Sequence, residues 1–459
     1  MDVADKLRPR PRWLEILWSS LKLPTHQHAL GWWIGTRAAV FLLWAVFDGF
    51  VGDVSYYYDK IAGLFHGMPP SQVLVEYPTP LIWILSIPYL LGLGTQVGYS
   101  IAFVTLFLAG DALMGYVLWR GARQYGTDPR PSAAFWIWFV VAIGPIIYMR
   151  LDFLTAALSA AAVLAIVRQR RASSGALIGV GAAIKLWPAL LWPATMVDRR
   201  AVKRATIGFA ASGLLLAAAS WLYAGWDRLI SPLTWQSDRG LQIESIYATP
   251  LMVARLFRPE AYTVEISSFN AYEIDGPGGA IMMHLASWAT VLGGVLMLIL
   301  YIGWLRRRQR TAIEAGTLMI IATLVMIITN KTFSPQYMIW LAGPVAALLT
   351  ISARHPELLA NHGRMFSWLT RPNHLRQDEH LVVPLTLARH IATWTIVLMA
   401  LTQLVFPLLY AYLVAMSWAT PLATIILTLR NVTLIYFTVR LIALACRSIA
   451  FPRPEVVTA

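Results

Sequence analysis

GDVSYYYDKIAGLFHGMPPSQVLVEYPTP, residues 52–80, is a polar interruption between two apolar runs, 31–50 and 81–93. It carries three carboxylates (Asp53, Asp59 and Glu76), three consecutive tyrosines (Tyr56, Tyr57 and Tyr58) and a break at Gly67, Pro69 and Pro70. A polar loop pinned between apolar helices is a place where one acid can meet a hydroxyl-bearing substrate. Working outward from it, the rest of the chain reads as scaffold and supporting shell.

The flanking runs are membrane spans because nothing else accommodates the composition. Of 459 residues 58% are hydrophobic and 13% charged, with 20 Trp. A soluble domain has too little interior for that apolar surface, whereas repeated runs of roughly 16–24 residues match a bilayer core. The sequence therefore predicts an all-α polytopic membrane protein. Its net charge of +14 is spread through the turns between runs rather than gathered on one element. That is the positive-inside distribution, and it sets nucleic-acid binding aside. Cys446 stands alone and the nine histidines show no ligand spacing, so neither a disulfide nor a metal site is expected. No phosphate-binding loop or dinucleotide glycine fingerprint is present. The basic start, KLRPRPRW (residues 6–13), precedes a run without a small-residue cleavage site, which reads as an uncleaved span.

Charge counting selects the topology. If every apolar run crosses, the basic turns 120–130 and 168–171 fall outside the cell. If the short, proline-interrupted runs 81–93 and 175–193 dip in without crossing, the strongly basic loops all lie on the cytoplasmic side with both termini. Interrupted helices are tolerated where protein or a wet cavity satisfies their backbone. The expectation is about ten full spans plus two short or re-entrant helices. The chain divides into a cytoplasmic segment with a short surface helix near 13–23 (1–30), a catalytic membrane region (31–352), a basic cytoplasmic loop (353–389) and a C-terminal helix pair with tail (390–459). On the outside would lie 52–79, 150–152, a long loop 225–279, and 330–337.

Those outer segments hold the candidate residues. Arg150 and Asp152 share a tiny turn between two spans, either paired with each other or in contact with acceptor or phosphate. In SDRGLQIES (237–245), Arg239 offers a fork for a phosphate, and Glu244 either binds sugar hydroxyls or pairs with Arg239. Lys331 interrupts two apolar runs in NKTFSPQY (330–337), to neutralise a leaving group or to snorkel. Lys185 lies inside the interrupted run 175–193, where a lysine needs an anion or water. Glu76 is a candidate sugar-hydroxyl binder or a plain interfacial charge, and Tyr57 a candidate for sugar stacking or for the interfacial belt.

The acid after the first span (Asp53), the aromatic stretch Tyr56–Tyr58, the break at 67–70 and the Tyr-Pro-x-Pro of Tyr77–Pro80 form an opening that resembles the GT-C class of polyprenyl-phosphate-sugar glycosyltransferases. Within it the chain is most similar to the actinobacterial family 87 mannosyltransferases. The likeness continues through Arg150–Asp152, KLWPALLWP (185–193) and SPQYMIWL (334–341). It implies a GT-C-like fold and transfer of a sugar, mannose above all, from a polyprenyl-phosphate donor to a glycolipid or cell-wall glycan. The reaction would occur outside the cytoplasmic membrane of a bacterium, with membrane lipids as surroundings and no metal or other cofactor. Asp53 would be the general base of a single inverting displacement. Arg239, Lys331 and Lys185 would bind donor phosphate. Tyr57, Glu76, Arg150, Asp152, Glu244 and Gln336 would bind sugar or acceptor. Many family members carry two histidines where this chain has Gln336 and Tyr337, so the role of those histidines does not transfer, Lys331 is a possible substitute, and a pentose such as arabinose stays open. A transporter or lipid flippase also suits interrupted helices, although no internal repeat matches the Asp53 segment. A non-enzymatic partner in a wall-synthesis complex is the third class.

Overall fold

The computed structural model describes residues 26–46, 52–237, 239–307, 310–352 and 379–450. The expected surface helix near 13–23 and most of the basic loop 353–389 lie outside them. In chain order the helices are α1 (His26–Val46), α2 (Gly52–Phe65), α3 (Pro80–Leu91), α4 (Gln96–Gln124), α5 (Arg130–Ile143), α6 (Asp152–Val167), α7 (Arg171–Ile184) and α8 (Arg199–Ala224). There follow α9 (Trp226–Ser237), α10 (Thr249–Arg255), α11 (Gly279–Leu305), α12 (Ala312–Thr329), α13 (Ala342–Ser352), α14 (Glu379–Gln403), α15 (Tyr410–Val414) and α16 (Thr420–Ala450). Tight 3-10 turns cover Gly144–Tyr148, Trp187–Thr195 and Pro335–Leu341.

Seven helices among the described residues are long and apolar enough to cross a membrane, and three shorter apolar ones, α3, α6 and α7, accompany them. The protein is an all-α polytopic membrane protein. Two of the short helices fall in the runs read as interrupted. The third, α6, was expected as a full span and is only 16 residues long.

Two of the presumed outer loops are structured. Residues 52–65 form α2 because Val54, Tyr57 and Ile61 recur at helical spacing and are buried together. The stretch 225–279 is no long loop either: it contains α9, α10 and an antiparallel hairpin, β1 (Thr263–Ile266) with β2 (Tyr272–Asp275), in which Val264 faces Ile274.

The bundle has two chemically distinct ends. At one, Arg171 binds Asp198 at 2.8 Å, the Thr127 hydroxyl donates to the Thr350 carbonyl, and the Tyr125 hydroxyl donates to the Leu164 carbonyl. Basic turns 168–171 and 199–204 belong to this end or run on from it, as does Arg310, which lies within electrostatic reach of Asp198. The Arg171–Asp198 pair also joins the start of α7 to the residue following its 3-10 return. That interrupted segment therefore enters and leaves at one end of the bundle, with Lys185 at its apex. The turn 149–152 between α5 and α6 is a second apex. At 1.5 Å per residue, α6 and α7 place both apices roughly 20–25 Å from the basic end, short of a full bilayer core.

The axis of this assembly is α13, buried at every position. Small residues make that possible: Gly343 packs so closely on the Ala156 carbonyl of α6 that a Cβ would collide. Deep among the helices, Asp111 of α4 takes Arg37 Nε at 2.8 Å and Nη2 at 2.7 Å, Trp136 Nε1 at 2.6 Å, Trp33 Nε1 at 3.1 Å and the Tyr148 hydroxyl at 2.7 Å. A carboxylate in apolar surroundings needs its lone pairs occupied, and here donors from α1, α5 and the 144–148 turn occupy them. Arg37, a charge inside the first apolar run, faces the protein interior rather than the lipid surface and is 3% exposed.

Arg37→Met leaves Asp111 charged and short of its main partner, so unfolding in detergent is expected to become easier by about 3–5 kcal/mol. Arg37→Met combined with Asp111→Leu is expected to cost less than the two single losses added, because one change removes the need for the other. Additive losses in a thermal-unfolding cycle would show the pair to be uncoupled.

Candidate functional site

The apices and the start of α2 bring four charges together. Asp53 sits in the first turn of α2, where a negative charge suits the helix's free N–H groups. Arg150 forms an ion pair with it, and the two side chains stay 21% and 17% exposed, in the order Arg150, Asp53. Burial pushes the Arg150 guanidinium down to about 10, with Asp152 opposing the shift, so it stays a cation at neutral pH. Charges and hydroxyls of Asp152, Glu244, Tyr337 and Tyr410 all lie within its electrostatic reach.

The second pair joins the two apices. Where α7 ends, Lys185 turns to extended backbone (φ −153°, ψ 126°), breaking the helix and swinging its side chain toward α6. Its ammonium donates to Asp152 Oδ1 at 2.6 Å, and Trp340 Nε1 donates to the same oxygen at 2.5 Å. Three rings surround the ammonium: Trp340 at 5.3 Å, Tyr337 at 5.5 Å and Tyr77 at 5.9 Å from their centres. Tyr337, Trp340 and Trp187 stack in series at 4.3 and 4.5 Å. The expected alternative, a plain Arg150–Asp152 pair, does not form. Each residue reaches past its neighbour to a charge on another helix.

The 73–77 stretch is held from α9. Arg228, 1% exposed, donates from Nη2 to the carbonyls of Val73, Leu74 and Tyr77 at 3.1, 2.8 and 2.8 Å, and Ser231 donates to the Val75 carbonyl at 2.7 Å. This clamp stabilises a bend in which Leu74 adopts φ 49° and sets Glu76 against the Tyr56 hydroxyl at 2.8 Å. Burial, with Glu76 adding to it, raises the Tyr56 phenol above its ordinary range, so Tyr56 stays a neutral donor. Tyr57 lies in the core, 1% exposed, with its hydroxyl 3.4 Å from that of Tyr77 and its ring 6.0 Å from Phe103.

A third group forms where 239–245 meets 331–337. The Gln242 N–H donates to the Lys331 carbonyl at 3.3 Å and Gln242 Nε2 to Ser334 Oγ at 2.8 Å. Glu244 is fully buried and paired at 2.6 Å with Arg430 of α16, which lies 4.2 Å from the Phe333 ring centre. Asn431 donates to the Glu244 and Ser245 carbonyls and to Thr249 Oγ1. Burial pushes the Glu244 carboxyl above its usual range, with Arg430 and then Arg150 opposing. The considered Glu244–Arg239 pair is thus replaced by Glu244–Arg430. Arg239 instead stacks over Phe269 of the hairpin turn at 5.9 Å and makes no ion pair among the described residues.

The structure therefore gathers Asp53, Arg150, Asp152 and Lys185, with Glu244 within electrostatic reach of Arg150. It puts Tyr57 in the core on α2, Glu76 of the 73–77 bend against Tyr56 of the same helix, Gln336 buried beside Tyr337, and Lys331 and Arg239 on the two segments meeting at Gln242. Sequence reasoning missed Arg228, Gln242, Trp340, Tyr410 and the Arg430–Asn431 pair. For the last a signal existed: a charge and an amide side by side in the middle of the apolar run 422–444. Arg228 gave none, because its partners are backbone carbonyls.

A model of glycosyltransferase family 87 matches residues 75–335, more than half of the chain. The matched stretch contains Glu76, Arg150, Asp152, Lys185, Arg239, Glu244 and Lys331, and it begins after Asp53 and ends before Gln336 and Arg430. No match is found among the curated proteins.

Arg430→Met strands a buried carboxylate and is expected to lower stability by about 3–5 kcal/mol. Arg239→Met removes no ion pair and is expected to cost less than about 1 kcal/mol. Thermal unfolding of the two variants in detergent separates the pairings, and the reverse ranking would overturn the Glu244–Arg430 assignment.

Proposed function

The chain belongs to glycosyltransferase family 87 and is a membrane glycosyltransferase; from that premise we propose that it transfers mannose from a polyprenyl-phosphate donor to a glycolipid or cell-wall glycan on the outer side of a bacterial cytoplasmic membrane. One observation carries the reading: the partly exposed Asp53 carboxylate is paired with Arg150, next to the Asp152–Lys185 pair, at the end of the bundle remote from the basic turns.

In this reading Asp53 accepts the proton of the acceptor hydroxyl. The acceptor oxygen bonds to the sugar's anomeric carbon as the carbon–oxygen bond to the lipid phosphate breaks, and the phosphate leaves with the electron pair. Phosphate is a good leaving group, so one carboxylate suffices and configuration inverts. Arg150 has two duties. It keeps Asp53 ionised before the donor arrives, and it can turn toward the phosphate as negative charge develops there, freeing Asp53 to take the proton. Lys185, held by Asp152 and its aromatic cage, supplies a second fixed positive charge. Arg239 and Lys331 complete the cationic lining, so a metal has no required part. Glu76, Glu244 and Gln336 line the sugar and acceptor side, and Tyr57, buried in the core rather than free to stack on a sugar, supports it through the Tyr77 hydroxyl.

Asp53→Asn removes the base and keeps the shape. Membranes containing this variant are expected to lose transfer from labelled polyprenyl-phosphate-mannose by roughly 10²–10⁴-fold, with normal expression and insertion. Retention of activity within about tenfold would assign the base elsewhere. Turnover of a polyprenyl-phosphate pentose in place of mannose would keep the mechanism and change the sugar.

A further inference from the structure

Three buried oxygens at the junction of 239–245 with 331–337 have no hydrogen-bond partner among the described residues: Gln242 Oε1, Glu244 Oε1 and Gln336 Oε1. Their side chains are 3%, 0% and 8% exposed. Two of the three are aimed by a bond at their other atom, since Gln242 Nε2 is spent on Ser334 Oγ at 2.8 Å and Glu244 Oε2 on Arg430 Nη1 at 2.6 Å. Gln336 follows Ser334 by two residues and precedes Tyr337, which lies within electrostatic reach of Arg150 together with Glu244. The three groups thus come from two segments that touch, beside the reacting centre.

Buried acceptors without donors are rare and costly, and a set of them specifies the chemistry of what completes it. A phosphate brings further acceptors and negative charge, and a polyprenyl tail brings neither donor nor acceptor. A sugar ring brings several hydroxyl donors at fixed spacing. The same stretch carries the opposite signal at Arg239, whose buried Nε is a donor without an acceptor among the described residues. Polarity therefore divides the junction: donor-only groups for phosphate, acceptors for hydroxyls.

We propose that Gln242, Glu244 and Gln336 form the subsite that reads the hydroxyls of the transferred sugar, so that selectivity among lipid-phosphate sugars is decided at this junction. The assignment rests on the lipid-phosphate-sugar reading given above. It adds Gln242, and it separates the donor sugar from the phosphate cations by hydrogen-bond polarity.

The test is binding to the full-length protein in nanodiscs, comparing polyprenyl-phosphate-mannose with bare polyprenyl phosphate. The wild type is expected to prefer the sugar-bearing lipid. Gln336→Met, losing its acceptor oxygen, and Gln242→Met, losing its acceptor oxygen and the bond to Ser334 as well, are expected to reduce that preference by roughly tenfold while binding the bare lipid as before. Gln242→Glu keeps an acceptor oxygen and is expected to retain the preference. Unchanged preference in both methionine variants, or equal weakening toward both lipids, overturns the subsite. Equal wild-type affinity for the two lipids also overturns it but leaves the lipid-phosphate reading standing. A wild type that binds neither lipid overturns both.

Discussion

Asp152 is caught between an ammonium and an indole at a helix apex, and much of the rest is arranged to make that possible. A carboxylate at that depth is too costly to leave unanswered in a bilayer. The cation comes from a helix that stops short: α7 ends at Ile184, and the extended Lys185 reaches across to α6. The indole comes from the 3-10 turn that precedes α13. Two interrupted segments and a short helix are thus explained together. Full-length helices would carry these ends to the bilayer surface, where water would screen the pair and weaken it.

From this pair the remaining polar contacts follow as supports. The Asp111 network ties α1, α4 and α5 to Tyr148, two residues before Arg150. Arg228 fixes the bend that carries Glu76 and Tyr77. Arg430 and Asn431 bring the last helix against Glu244, so a segment beyond the family-matched stretch braces the site. Each support spans distant parts of the chain, and each satisfies groups that burial would otherwise leave exposed to an apolar medium.

Ion pairing of this kind suits phosphate chemistry. A guanidinium that is already desolvated and held by a carboxylate loses little in exchanging it for another anion, so positive charge is in place before the donor arrives. The same exchange would unmask the carboxylate at the moment a base is needed. Electrostatic preorganisation is then the chief contribution of these residues to the proposed reaction, in which the buried acceptors of the 242–244 stretch would give the sugar a place apart from the phosphate.

The sequence by itself determined the membrane-spanning helical class, the interrupted runs and most of the charged residues that meet at the site. Apolar run lengths and isolated intramembrane charges are local signals, and the bilayer makes them costly to misplace. The opening motif also pointed to the glycosyltransferase family. Tertiary structure alone decided which charges pair: Arg150 and Asp152 are two residues apart yet bond to α2 and α7. It alone joined Glu244 to Arg430, 186 positions away, and revealed Arg228 as a clamp on carbonyls. It also converted the presumed loops at 52–65 and 225–279 into helices and a hairpin. The physical reason is that partner choice depends on which helix ends share a depth and a face. That is a property of packing around α13, and spacing along the chain does not encode it.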